Sequence, residues 1–344
     1  MARRFAALIV AALSVPSPNS LASSSDLLKQ CLEKGDSDAA LAVCSNALQI
    51  SSAPNEQANI LIRQCVAYAD KADYSSAKQA CNEAIRKNVN NSIAYFDLGN
   101  VFLREQRYRD AIDYFDKATE INKSYANAYS NKCYTYNYLR DYEHAIGECN
   151  KAIALDPRQP RYFIGRGNAF LNSGNNRKAE ADYRTARELN PDDQSALVGL
   201  AAVLQKHGDY SAALKLLDQI KLDREDAPTA LNNRCWYRAI STSNRSELEI
   251  ALRDCDQALK ILPSAAWIIN SRAFVYLKLG DFNKATIDYK QALLIEPAQA
   301  SALYGYGVAK KLGGDATADV YIKSALDLEI GIADEFAQYG IEVK

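Results

Sequence analysis

Eight cysteines carry the most distinctive chemistry in this 344-residue sequence. Cys65 and Cys81 lie 16 residues apart, as do Cys133 and Cys149, while Cys235 and Cys255 lie 20 apart and Cys31 and Cys44 lie 13 apart. An even number of regularly spaced cysteines in an exported chain reads as a disulfide framework. The competing reading is that they serve as small buried apolar side chains. Zinc is disfavoured, because no CxxC is present and His144 near Cys149 completes no ligand set.

Other reactive groups are sparse. The two histidines, His144 and His207, fall in polar turns, which favours surface or capping roles over catalysis. No HExxH, no GxSxG with partners and no phosphate-binding GxxxxGK[ST] occurs. Asp110 and Asp113 sit near a helix start, where they complement its dipole. Glu180 and Asp182, two apart, do not face one another on a helix. The sequence thus predicts a non-catalytic protein without cofactor or metal.

Composition sets the class. The chain is 48% apolar and 24% charged with a net charge of -1, which is folded-protein composition. Basic and acidic residues are interspersed, so neither nucleic acid nor an anionic membrane surface is an expected partner. Arg3 and Arg4, the apolar run from Phe5 to Val15 and small residues at Ser20 and Ala22 predict an export signal over 1–22. That run is too short to cross about 30 Å of hydrocarbon, and no later stretch approaches spanning length. The expected location is periplasmic or secreted.

Aligning the chain with itself at an offset of 34 shows what positions these residues. Tyr95, Leu98, Gly99, Phe102, Ala111, Phe115 and Ala118 recur as Tyr129, Lys132, Cys133, Tyr136, Ala145, Cys149 and Ala152. They recur again as Phe163, Arg166, Gly167, Phe170, Ala179, Tyr183 and Ala186. Each unit reads as a helix, a short polar turn and a second helix, with Pro157, Pro191, Pro263 and Pro297 near second-helix ends. Gly99 and Gly167, opposite Ala111 and Ala179, are expected to let the two backbones approach closely.

This pattern of aromatic, Leu-Gly, aromatic, Ala, aromatic, Ala and Pro resembles the tetratricopeptide repeat family. The resemblance covers nearly all of the chain beyond the signal and implies an all-α fold, a right-handed α-solenoid of antiparallel helix pairs. Repeats 1 to 9 are placed at 21–54, 58–91, 92–125, 126–159, 160–193, 194–227, 228–265, 266–299 and 300–333. The domain reading is therefore a signal at 1–22, about nine repeats over 23–333 and a C-terminal cap or tail at 334–344. Repeat 7 carries a four-residue insertion around Ser241 to Ser246, expected as a longer loop or a helix extension, and repeat 9 is expected to be irregular at Gly313-Gly314.

Placed in these repeats, the cysteine pairs keep register. Two sites in an antiparallel hairpin at similar height allow Cα separations of roughly 5–6 Å. Three bridges are predicted within repeats 2, 4 and 7, each contributing about 3 kcal/mol in the chain-entropy account. Cys31–Cys44 is a fourth candidate, with Cys31 three residues out of register.

In the resembled family the first helices line an inner concave face through their second, fifth, ninth and twelfth positions. Carried onto this sequence, that implies ligand contacts from Phe96, Asn100, Asn127, Tyr134, Asn137, Arg161, Asn168, Asn232, Trp236, Trp267, Asn270 and Phe274. Carboxamides can pair with a bound backbone, and aromatic rings give broad contacts. A Lys/Asn clamp for chain-terminal carboxylates is not matched, since Phe96, Ser130, Ile164 or Asn232 stands where the first clamp lysine would be. The implied function is a protein- or peptide-binding scaffold or adaptor in the cell envelope or secretory compartment. The alternatives are a structural, self-associating repeat protein and an accessory to a cell-wall enzyme.

Overall fold

A computed structural model describes residues 24–33, 37–221 and 227–342. The expected export signal at 1–22 lies outside the described residues. Among them the chain forms nineteen helices and no strand, an all-α solenoid of consecutive helix hairpins. One compact unit reaches to Ala128 and a second runs from Tyr129. The first contains α1 (Ser24–Glu33), α2 (Ser37–Ile50), α3 (Pro54–Asp70), α4 (Tyr74–Lys87), α5 (Ser92–Arg104), α6 (Tyr108–Ile121) and the start of α7 (Ala126–Tyr138). The second contains the rest of α7, then α8 (Tyr142–Leu155), α9 (Pro160–Asn172), α10 (Asn176–Leu189), α11 (Gln194–Lys206) and α12 (Tyr210–Leu217). It continues through α13 (Ala227–Ser241), α14 (Arg245–Ile261), α15 (Ala266–Leu279), α16 (Phe282–Ile295), α17 (Ala300–Leu312), α18 (Ala318–Leu328) and α19 (Ile332–Gln338).

The turns within the hairpins follow one rule. The fifteenth residue of the repeat adopts positive φ: Gly174, Gly208 and Gly280 do so without steric cost, whereas Ala72, Gln106 and Arg140 do so despite a Cβ. The next residue caps the second helix in each of these turns except repeat 3, where Arg107 makes no side-chain cap bond. Asp73, Asp141, Asn175, Asp209 and Asp281 each accept a bond from the amide three residues on. Gly314 takes the same left-handed place, with φ +82°, and the irregularity expected there follows it: α18 begins only at Ala318, its N-cap Thr317 makes no side-chain cap bond, and the helix runs 11 residues. The insertion in repeat 7 leaves a three-residue turn at 242–244 and lengthens α14 to 17 residues, against 14 in α4, α6, α8, α10 and α16. It is a helix extension.

Packing corrects one expectation and extends another. A Cβ on Gly99 would meet the Phe115 ring at 2.6 Å, and one on Gly167 would meet the Tyr183 ring at 2.8 Å. The glycine therefore makes room for the aromatic at the 24th position, and does not serve mainly to draw the backbone towards Ala111 or Ala179. The cysteines use these same two positions. Cys65–Cys81, Cys133–Cys149 and Cys235–Cys255 pair at disulfide distance with Cα separations of 5.3, 5.3 and 5.5 Å. Cys31–Cys44 pairs as well, at 4.7 Å. Its register is restored because α1 ends two residues after Cys31, whereas α3 and α7 continue five residues past Cys65 and Cys133. All eight side chains are buried.

Within the second unit, a third small residue completes each contact. The sixth position of the following repeat covers the 24th: Gly165 over Cys149, Gly199 over Tyr183 and Gly305 over Tyr289. Beside it runs a ladder of ion pairs. Lys132–Glu148 (3.1 Å), Arg166–Asp182 (2.7 Å), Arg234–Asp254 (2.9 Å) and Arg272–Asp288 (2.7 Å) join the two helices of a hairpin. The arginines reach back one repeat too, to Asn150, Asp218 and Asp256. Their acidic partners are almost fully buried, so each pairing offsets a desolvation cost and fixes the helices in register.

Candidate functional site

In the first unit the first-helix face around α5 is closed by its own side chains. Phe96 packs against Phe115 at 5.8 Å and Tyr125 at 4.9 Å between ring centroids. Asn100 donates to Asp97 at 3.4 Å. Burial pushes the Asp97 carboxyl up to about 7, opposed by that bond and by the charge of Arg104. Burial, with Asp97 adding to it, also raises the Tyr125 phenol to about 12. Asn127 is exposed on α7.

In the second unit, the structure turns several expected ligand contacts into ties between repeats 4 and 5. The Tyr134 hydroxyl donates to the Arg161 carbonyl at 2.7 Å, and burial holds its phenol at about 12. Arg161 donates to Asn131 at 2.7 Å and lies over the Tyr134 ring. Asn137 donates to the Gly165 carbonyl at 3.0 Å, while its own amide oxygen is buried. Asn168 accepts a bond from the Tyr183 hydroxyl at 2.7 Å. The amide oxygens of Asn232 and Asn270 are buried likewise, and Asn270 donates to Ser301. Carboxamide pairing with a bound backbone, expected from the sequence, is therefore not what the Asn137, Asn232 and Asn270 amide oxygens are placed to do.

An open groove does exist on this face, one repeat further along. Its lining is Ile164, Asn168 and Leu171 on α9, Ser195, Val198, Gly199 and Ala202 on α11, Thr229 on α13, and Tyr183 beneath, around a cavity of about 280 Å³. Apart from Gly199 and Tyr183, these residues fall at the second, fifth, ninth and twelfth positions of their repeats. The position rule taken from the resemblance thus describes the lining, and of the residues singled out from the sequence Ile164 and Asn168 lie in it. Val198 and Ala202 carry no stronger signal because repeat 6 lacks the aromatics of its neighbours, and Leu171 in repeat 5 is an ordinary aliphatic. Their only signal was position.

The same face of the last three repeats is covered by the chain's own end. Phe336 on α19 packs edge-on against Phe274 (5.4 Å) and Tyr304 (4.8 Å). Tyr339 packs edge-on against Trp236 (5.6 Å) and Phe274 (6.0 Å), and its carbonyl accepts from the Lys278 amine at 2.7 Å. Trp236 and Phe274 also touch each other at 4.9 Å, and Trp267 is half-buried nearby in the same core. The expected ligand contacts Trp236 and Phe274 are thus occupied, and Phe274 is only 1% exposed. The C-terminal cap expected from the sequence spreads back across the repeats because its two aromatic side chains find apolar partners there.

Among the described residues no group of His, Cys, Asp or Glu is placed to hold a metal, and no helix is long and apolar enough to cross a membrane. His144 pairs with Asp141 at 2.8 Å at the start of α8, and that bond raises its pKa. These features define a helical-repeat protein whose first helices present a lined face.

Sequence profiles of the tetratricopeptide repeat match residues 65–127, 164–229 and 268–299. Over these residues the chain carries tetratricopeptide repeats, which make protein-interaction scaffolds. It is 22% identical over 204 residues to anaphase-promoting complex subunit 3 of Schizosaccharomyces pombe, covering 59% of this chain and 29% of that protein. The fold is shared with a tetratricopeptide repeat protein from Parabacteroides merdae, with TM-score 0.55 and 18% identity over 79% of this chain and 99% of the other. It is also shared with a chain of the APC/C hetero-tetramer Cut9-Hcn1, with TM-score 0.61 and 16% identity over 90% of this chain and 57% of the other. The chain spans less than a third of the length of the curated relatives it matches.

Proposed function

We propose that this protein is an exported, non-catalytic scaffold that holds a partner polypeptide along the first-helix face of repeats 5 to 7. The observation that carries this reading is the groove over α9, α11 and α13, with an apolar floor of Ile164, Leu171, Val198 and Ala202 and polar edges at Asn168, Ser195 and Thr229. Such a lining suits a chain that alternates apolar side chains with backbone polar groups. Four cysteine pairs at disulfide distance support a periplasmic or secreted setting, since such bonds persist where thiols are not kept reduced.

The test changes two side chains that line the groove; Val198 also packs against the neighbouring core, so retained helical content is its control. Val198→Glu with Ala202→Glu is expected to lose one set of partners captured from a cell-envelope extract while the helical content is retained. Capture unchanged by the pair of glutamates would refute binding on this face. Mass measurement after thiol blocking without reduction tests the setting: no blocked cysteine is expected in the purified native protein, and eight blocked cysteines would defeat export.

A second reading, self-association, is favoured by apolar side chains left exposed on the second helices of the last two repeats. Ile287 is 65%, Leu294 77% and Val320 67% exposed. Sedimentation of the wild type against Leu294→Lys separates the two readings. A dimer lost in the variant supports self-association, and a monomer in both argues against it.

A further inference from the structure

We propose that residues 332–341 are a ligand held in cis, and that the first-helix face of repeats 7 to 9 binds acidic helical peptides with two aromatic anchors three residues apart. The proposal rests on the first-helix face being the binding face, and names what one stretch of it accepts. Tyr304 holds the fifth position of its repeat, and Trp236 and Phe274 hold the ninth. Positions five and nine also line the open groove of repeats 5 and 6, through Ile164, Asn168, Val198 and Ala202. The C-terminal segment therefore lies where a ligand would lie.

Its contacts go beyond those of an end cap. A cap shields the last repeat from water. This segment does so and continues backwards: Phe336 sits on repeats 9 and 8, and Tyr339 on repeats 8 and 7. Gly340 then approaches the Lys278 amine and the Ser243 hydroxyl, in the turn next to the repeat 7 insertion. Gly340, at φ +81°, ends the helix by returning the Ile341 amide to the Phe336 carbonyl at 2.9 Å. Ile341 is buried by that turn. The result is a short motif of Phe, two spacers, Tyr, Gly and Ile, read by three aromatic rings and one amine.

The segment is built to leave. A seven-residue helix falls well below the roughly 12–15 residues that hold a helix alone in water, so α19 depends on its anchors. Ile332, Phe336 and Ile341 are buried and Tyr339 is half-buried, while Asp334, Ala337, Gln338 and Glu342 face solvent. The connection through Glu329, Ile330 and Gly331 is exposed, with Ile330 at 90%. Few anchors and an exposed connection give a segment that opens far below the cost of global unfolding. Its charges are Asp334, Glu335 and Glu342, with no basic residue between 332 and 342, and the Lys278 amine meets it at the Tyr339 carbonyl.

A tether of this length gives the segment an effective concentration on the order of millimolar, so a free peptide of equal intrinsic affinity competes poorly until the segment is released. The probe is a labelled peptide of residues 330–342, measured by fluorescence anisotropy on the full chain. Phe336→Ala with Tyr339→Ala is expected to bind it at least about tenfold more tightly than wild type. Adding Trp236→Ala is expected to abolish that gain, and a scrambled peptide is expected to bind neither protein. On unaltered protein, excess peptide is expected to speed hydrogen exchange at the Phe336 to Ile341 amides, so a folding defect in the variant does not shelter the proposal.

Equal affinity for wild type and the released variant, or exchange unchanged by the peptide, would overturn it. So would a released variant that binds no peptide. Tail exchange between copies, seen as a dimer of wild type that the peptide does not dissociate, would replace it with a swap. If the peptide binds neither protein while the Val198→Glu and Ala202→Glu pair still loses its partners, this proposal fails and the function proposed for the open groove stands.

Discussion

Repeats 4 and 5 lie side by side and fill the same space between their helices in two ways. In repeat 4, Cys133 and Cys149 meet at the eighth and 24th positions, and Tyr134 at the ninth supplies the bulk. In repeat 5, Gly167 faces Tyr183, and the ninth position is Asn168, which accepts the tyrosine hydroxyl. Repeat 7 follows repeat 4, with Cys235–Cys255 beside Trp236, and repeat 3 follows repeat 5, with Gly99 and Phe115 beside Asn100. The aromatic bulk has moved from the second helix to the first. The cysteine pair takes one covering glycine, Gly165, where a Cβ would stand 3.1 Å from the Cys149 sulfur, whereas Tyr183 needs glycine on both sides, at Gly167 and Gly199, where a Cβ would stand at 2.8 and 2.4 Å.

The largest effect should come from emptying the aromatic site. Tyr183→Ala removes a ring that is 1% exposed, and urea unfolding should show a loss of about 3–5 kcal/mol. Next, Cys133→Ala with Cys149→Ala should cost about 3 kcal/mol by the same measurement, from the loop it reopens. If the cysteine pair instead cost as much as the ring, the two would be equivalent devices and the comparison would lose its energetic side. Gly199→Ala tests the neighbour dependence, since its Cβ would stand 2.4 Å from the Tyr183 ring; about 1–3 kcal/mol should be lost. A neutral result would show that the ring can shift.

The finest comparison is between two tyrosines at the 24th position. Tyr183→Phe should cost about 1 kcal/mol in thermal unfolding, because it leaves the Asn168 oxygen without its donor. Tyr289 has Phe274 where repeat 5 has Asn168, and its buried hydroxyl meets no partner among the described residues. Tyr289→Phe should therefore be neutral or slightly stabilising. A loss for Tyr289→Phe equal to that for Tyr183→Phe would break the distinction.

Much of this was legible one residue at a time. The 34-residue offset gave the hairpins, because close packing of stacked units demands small and aromatic residues at fixed intervals. It also paired the cysteines of repeats 2, 4 and 7, whereas Cys31, out of register in the sequence, meets Cys44 because of where α1 ends. Position alone located the lining of the open groove. The ion-pair ladder was half visible: Lys132 and Arg166 stood in the column of Leu98, and Glu148 and Asp182 stood sixteen residues on. The pairing itself is not legible there, because charge at a core column reads as degeneracy until its partner is seen. The covering glycines Gly165, Gly199 and Gly305 were missed for a related reason, since their contacts lie in the preceding repeat.

By itself, then, the sequence determined what is periodic: helix pairs, turns with a left-handed residue and a cap, and the sites where two helices touch. Those are local or nearest-neighbour properties, written again every 34 residues. Only the tertiary structure decided which first-helix positions remain open and which are filled. Tyr134 and Asn137 went to the next repeat, Ile164 and Val198 stayed at the groove, and Trp236 and Phe274 received Tyr339 and Phe336. The last contact joins residues about sixty to a hundred positions apart in the chain. A tail that occurs once has no period to reveal it, and its place is set by the apolar rings that three separate repeats bring together.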